Sequence, residues 1–260
     1  MKELAVAVQY ENKTVSVLET IDAIKDAGFK NVFIQWYDNE SWEHPQQKQV
    51  EYIKSKGLNI IFAHLGYQNI NKIWEEGQEG DLLVERYKRN VKECKDNGIN
   101  LVILHLTSKN IAPNYNELGL ERIRKITDFA KEVGVKVAFE NTKLRGYLEY
   151  VLGNIKDEHV GMCFDSGHFH AHFNDEFEHD FVKERIFAVH LHDNDGSSDQ
   201  HLLPFDGTLN WNLVKDKLVD CNYSGPVTLE LCYRNDYLKE DVKSFYKEGY
   251  TRGEKVKALF

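Results

Sequence analysis

One grammar repeats along this chain and limits what it can fold into: a helix-period stretch, a glycine, one or two residues, then a short run rich in β-branched and aromatic residues. The junctions read DAGFKNVFIQ at Gly28, SKGLNIIFAH at Gly57, DNGINLVILH at Gly98 and EVGVKVAFEN at Gly134. A glycine just after an amphipathic helix is the expected left-handed cap, and the apolar run that follows reads as a buried parallel strand. Val160–Asp165, Phe187–His192 and Pro226–Leu231 follow the same logic, and Leu4–Val8 opens the series. Helical patterns lie between most of them, for example at Val15–Ala27, Gln46–Lys56, Leu82–Asn97, Leu118–Val133 and Trp211–Cys221. Eight strand-helix units in 260 residues predict an α/β fold, a (β/α)8 TIM barrel. No Pro/Gly/Ser linker divides the chain, so residues 1–260 read as one domain. A doubly wound sheet is the main alternative, but it would gather its site at one switch point.

The polar residues speak for the barrel. Strand three ends in His64, strand four in His105, strand five in Glu140, strand six in Asp165 followed by His168, strand seven in His190 with His192 and Asp193, and strand eight in Glu230. Any one of these has a bland reading, as a helix cap or a loop hydrogen bond. Six consecutive strands ending this way is a different observation, because in a barrel those ends converge on one mouth. Glu140, Asp165, His190 and Glu230 bring three carboxylates and one imidazole together from strands five to eight. Carboxylates packed that closely repel and need a cation to stay ionised. An oxygen-rich set with one nitrogen suits Mn²⁺, Mg²⁺ or Co²⁺ and admits Zn²⁺, so one divalent metal ion is expected there.

Composition bounds the partners. With 33 Lys plus Arg against 42 Asp plus Glu, the net charge of −9 gives no general attraction to nucleic acid or membranes. No apolar run approaches the roughly 18 residues of a membrane helix, and Leu4–Val8 is too short for a signal-peptide core. Cys94, Cys163, Cys221 and Cys232 form no CxxC pair, which suggests reduced thiols and a cytoplasmic location. P-loop, GxGxxG, GxSxG and HExxH motifs are absent. A homo-oligomer is compatible with all of this.

The strings HLGY, ILHLTS, AFENT, CFDSGHFHAH, HLHDNDGSSDQHLLPFDGTLNW and TLELCY resemble the xylose-isomerase-like barrel superfamily, which contains sugar (phosphate) isomerases and epimerases and the endonuclease IV family. The resemblance runs from about strand two to strand eight. In the isomerases and epimerases it implies a metal on Glu140, Asp165, His190 and Glu230, with the two glutamates also moving protons. The endonuclease branch implies up to three Zn²⁺, with counterparts at His64, His105, Glu140, Asp165, His168, His190, Asp199, His201 and Glu230. The chain departs from the nuclease pattern where DNA would be handled: Gln68 stands after Tyr67 in place of an apolar wedge, HLHDND replaces a different string, and the loops hold few Arg.

The expected function is therefore a metal-dependent isomerase or epimerase of a small sugar or sugar phosphate, working through an enediolate. An abasic-site phosphodiesterase and a sugar dehydratase are the alternatives. Glu140 and Glu230 are the expected acid-base pair; His64, His105, His168, Asp199 and His201 are expected in the same mouth as further ligands or substrate-binding groups. His170 and His172 read as supporting groups. Trp36, Tyr67, Phe205, Trp211 and Tyr233 read as core or pocket wall. Gly66–Asp81 and Asp193–Asn210 exceed the usual loop length and are lid candidates.

Overall fold

A computed structural model describes residues 2–8, 15–37, 46–173 and 180–260. Eight strands, β1 (Leu4–Ala7), β2 (Asn31–Trp36), β3 (Asn59–Leu65), β4 (Leu101–Leu104), β5 (Lys136–Glu140), β6 (Val160–Asp165), β7 (Ile186–His190) and β8 (Val227–Leu229), form one parallel sheet. The order β7-β6-β5-β4-β3-β2-β1-β8 leaves β7 and β8 at its two edges. A parallel bridge between Leu191 and Leu229 closes the barrel, with Leu191 N–H donating to Thr228 O at 2.9 Å and Glu230 N–H to Leu191 O at 3.0 Å.

The helices α1 (Val17–Ala27), α2 (Gln46–Ser55), α3 (Gln78–Asp96), α4 (Glu117–Glu132), α5 (Tyr147–Asn154), α6 (Ser166–Phe173), α7 (Trp211–Asp220) and α8 (Val242–Lys257) alternate with the strands. The first shows how the sequence sets an element's bounds. Ser16 and Glu19 form a capping box at its start, and Gly28 ends it at φ 107, a conformation a side chain would strain. Thr20, Ile21, Ala23 and Ile24 give it one buried face. No helix among the described residues is long and apolar enough to cross a membrane.

Strand alternation sorts the core into two shells. Outward residues such as Val32, Val102 and Val137 join Ile21, Val91, Ile123 and Val151 of the helices in the outer core. Inward residues Ala7, Phe33, Phe62, Ile103, Ala138, Cys163 and Ala188 fill the barrel. Because side chains alternate with period two, the residue two positions further along each strand also faces inward, one layer nearer the carboxyl end. Those residues are Gln35, His64, His105, Glu140, Asp165 and His190.

One of the lid candidates turns out to be packed structure. Within Gly66–Asp81, residues Ile70–Trp74 form a 3-10 turn whose Ile70, Ile73 and Trp74 are buried, and α3 begins at Gln78. The buried Arg122 fixes this turn through hydrogen bonds to the carbonyls of Ile73, Glu75 and Gly77 and an ion pair with Asp81. The segment is long because it has a small core of its own.

Candidate active site

The floor of the mouth is aromatic. His190 stacks on Phe33 with ring centroids 4.9 Å apart and lies 5.7 Å from the Phe62 ring, so the barrel's inner layer fixes the imidazole at its top. Glu140, at the end of β5, is the hub above it. Its Oε2 lies 3.2 Å from His64 Nε2, 3.3 Å from His105 Nε2 and 3.2 Å from His190 Nδ1, while Oε1 is 3.1 Å from His168 Nδ1. Asp165 Oδ2 is 3.9 Å and Glu230 Oε2 is 3.5 Å from the same His190 Nδ1.

The long loop after β7 returns over this cluster. Asp193 anchors it, accepting from the N–H groups of Phe205 (2.9 Å) and Leu209 (3.0 Å) and from Trp211 Nε1–H (3.1 Å). An antiparallel bridge between Asp193 and Leu202 adds a second tie. Asp199 and His201 are thereby held at the mouth. Asp199 lies 3.0 Å from His201 Nε2, 3.4 Å from His168 Nε2 and 3.5 Å from His192 Nε2, and the His192 and His201 rings stack at 4.0 Å. The second lid candidate, 193–210, is thus a pinned strap carrying site residues.

All nine sequence-predicted residues are therefore brought to one mouth. His192 joins them: its Nε2 is 3.2 Å from Asp165 Oδ2, and it occupies space that any side chain at position 167 would fill, since a Cβ on Gly167 would fall 1.9 Å from the ring. Asn141 is a second support, donating through Nδ2 to Asp165 O at 2.9 Å and accepting the Asp165 N–H at 2.7 Å. Gln35, like Asn141, is a residue the sequence reading passed over. Its Oε1 is buried without a hydrogen-bond partner and it lines the cavity. Two-residue periodicity from the inward Phe33 was the signal for it.

Of the aromatic residues, Tyr67 lines the cavity and lies parallel to the His105 ring at 4.3 Å. Trp36 and Trp211 are buried and donate to Glu93 and Asp193, Tyr233 donates to Glu240 O, and Phe205 packs on Trp211. His172 also reaches the cavity, whereas His170 lies 2.9 Å from the Thr208 hydroxyl.

A cavity of about 350 Å³ opens above the cluster, within the range of small-molecule sites. Glu140 and Glu230 line it; Asp165 and His190 lie beneath, fully buried. The electrostatics are those of a set short of positive charge. Burial alone would raise the Glu140 carboxyl, but the His105 and His190 imidazoles outweigh it and hold it well below the usual range. At Glu230 burial wins, with repulsion from Glu140 and Asp165 adding to it, and the carboxyl is pushed well above the usual range. A cation would relieve that repulsion.

The donor set fits one. Four overlapping groups, His64–Glu140–His190, Asp165–His190–Glu230, Glu140–Asp165–His168 and His192–His201–Glu230, each hold ligand atoms within 4.8 Å of one another. Both His190 ring nitrogens, His168 Nδ1, His192 Nδ1 and Asp199 Oδ1 are buried without a hydrogen-bond partner among the described residues. Unsatisfied buried nitrogens beside carboxylates are costly unless something else binds them.

Residues 21–248 match a family described as the xylose isomerase-like TIM barrel. The chain belongs to that family. A curated relative, the uncharacterized protein y4fM of Sinorhizobium fredii, is 30% identical over 138 residues, 53% of this chain and 43% of its own length. The matched stretch therefore spans less than half of that relative. Among solved structures of the same barrel, D-psicose 3-epimerase with D-tagatose from Clostridium cellulolyticum H10 superposes with a TM-score of 0.78 at 13% identity, covering 100% of this chain and 99% of that one. The IOLI protein with a binding zinc atom gives 0.73 at 17% identity, covering 99% and 96%. At these identities the likeness is one of fold.

Proposed function

We propose that this chain is a divalent-metal-dependent isomerase or epimerase of a small sugar, with Glu140, Asp165, His190 and Glu230 as metal ligands and the two glutamates as the acid-base pair. The observation that carries the reading is the layering of the four. Asp165 and His190 are fully buried below the cavity, whereas Glu140 and Glu230 reach both the cluster and the cavity. A bound divalent cation would polarise a carbonyl and the hydroxyl next to it, lowering the cost of an enediolate. Glu140, rising from β5, can take the proton from the carbon beside that carbonyl. Glu230, after β8 and across His190 from it, can return a proton from the other side. Two bases on two faces give epimerisation, and one base returning the proton to the neighbouring carbon gives isomerisation.

The supporting residues do the positioning. Asn141 clamps the backbone of Asp165, and the strap held by Asp193 keeps Asp199 and His201 over the mouth. The epimerase and zinc-containing relatives of the fold support a sugar substrate and a divalent metal. Four unbridged thiols, three buried and one half-buried, support a reducing cytoplasmic compartment. The test is solvent deuterium incorporation beside the carbonyl of an accepted sugar. Exchange that is lost in Glu140→Gln or Glu230→Gln with metal restored supports the reading; full activity in both variants overturns it.

A second reading rests on the overlap of the four donor groups, which offers more nitrogen and oxygen than one cation needs. A phosphodiesterase using up to three Zn²⁺ fits that surplus. Zinc near three per chain together with cleavage of abasic DNA would favour it.

A further inference from the structure

The charge at the mouth changes sign between its floor and one side of its rim. Every carboxylate lining the cavity, Glu140, Asp199 and Glu230, belongs to the histidine-carboxylate cluster. The loops after β4 and β5 present Lys109 and Lys143 to the same cavity, and neither has an ion-pair partner among the described residues. Other lysines of the surface are ion-paired: Lys92 sits 2.5 Å from Asp96, Lys131 2.6 Å from Asp157 and Lys257 2.6 Å from Glu254.

The two lysines stand on a built loop pair. The buried Thr107 hydroxyl lies 3.1 Å from that of Thr142, tying the two loops together. Asn71 holds the first loop from both directions, accepting Ser108 N–H at 2.8 Å and donating to Ser108 O at 2.9 Å. Lys109 follows at φ 68, in the left-handed region that a non-glycine residue adopts at a cost. A strained, pinned lysine facing a cavity is spending stability to keep a cation in place.

We infer that the substrate carries an anionic group, a phosphate ester or a carboxylate, at the end remote from the histidine-carboxylate cluster, held by Lys109 and Lys143 with the Thr107, Ser108 and Thr142 hydroxyls. The inference rests on the sugar reading above and narrows its substrate class. Three carboxylates around one divalent cation leave that end of the cavity with excess negative charge. The reacting end therefore suits neutral oxygens, and an anion is favoured at the rim formed by the loops after β4 and β5, where Lys109, Lys143 and the hydroxyls line the cavity.

The test compares D-ketohexoses and D-ketopentoses, each free, as the terminal phosphate ester and as the terminal carboxylate, on the Mn²⁺-loaded protein. At least one anionic form should bind or turn over about tenfold or more better than its free sugar, the size of a single charge-assisted contact. Whether phosphate or carboxylate wins identifies the group. The Lys109→Gln/Lys143→Gln protein should lose most of that ratio at unchanged Mn²⁺ content, and Lys109→Arg/Lys143→Arg should keep it. A ratio near one in the wild type, or one that survives the double Gln change, overturns the anion inference and leaves the sugar reading standing. Failure of every probe, charged or free, to bind metal-loaded protein overturns the sugar reading and the inference with it.

Discussion

At the amino end of the barrel, the buried Asn31 bridges three strands: its Nδ2 donates to Glu3 Oε2 at 2.9 Å and to Leu4 O at 3.3 Å, and its Oδ1 accepts from Asn59 at 3.3 Å. At the carboxyl end, buried polar groups are more numerous and less satisfied, with His190, His168, His192 and Asp199 all keeping buried atoms without a hydrogen-bond partner among the described residues. Both ends bury polar side chains between strands, but one end closes its hydrogen bonds internally and the other does not. The difference teaches where the fold stores stability and where it gives stability up for binding, since an unpaired buried polar group costs about 1–3 kcal/mol.

Substitutions can break that contrast. The largest effect should come from Glu140→Gln, which keeps size and one acceptor oxygen but removes the proposed base: steady-state turnover should fall by at least about a hundredfold, the lower range for general acid-base catalysis. Glu230→Gln should do the same. Asn141→Ala removes no ligand but frees the Asp165 backbone, so Mn²⁺ affinity measured by titration calorimetry should weaken by about 10–100-fold, as for lost supporting hydrogen bonds at metal sites. Asn31→Ala at the other end should leave metal affinity and turnover intact while lowering unfolding stability by about 1–3 kcal/mol in urea. An Asn31 variant that lost metal would show the two ends to be coupled.

The smallest effect is a pH slope. In metal-free protein the Glu230 carboxyl is raised above its ordinary value of 4.5, chiefly by burial, so the folded state holds a proton that the unfolded chain releases. Stability should therefore fall as pH rises above 4.5. Glu140, held below 4.5 by His105 and His190 in spite of its burial, should contribute stability that is lost as pH falls beneath that value. Urea titrations across pH should show Glu230→Gln flattening the upper slope, and saturating Mn²⁺ should flatten it in the wild type.

Much of this contrast was legible in the sequence. The glycine junctions at Gly28, Gly57, Gly98 and Gly134 repeat because each helix needs a left-handed stop before a strand. His64, His105, Glu140, Asp165, His190 and Glu230 could be read because a polar residue ending an apolar run has few reasons to be there. Gln35 escaped because Trp36 after it prolongs the apolar run, hiding the inward position two residues beyond Phe33. Asn141 escaped because its role is a pair of bonds to the backbone of another strand, which no local pattern encodes. The packed turn at Ile70–Trp74 was read as a lid because its apolar residues are too few to show a period. Lys109 and Lys143 look like any surface lysines until the barrel closes and the loops after β4 and β5 face one cavity.

The central claim is that Glu140, Asp165, His190 and Glu230 at the carboxyl end are the ligands of a divalent cation. Crystals grown with Mn²⁺ and measured for anomalous scattering test it most directly. The account predicts a peak bounded by Glu140, Asp165, His190 and Glu230, at roughly 2.0–2.3 Å from their ligand atoms as for oxygen and nitrogen ligands of divalent metals. A fully loaded crystal with no peak among these four residues, or with manganese bound only elsewhere on the chain, would contradict it.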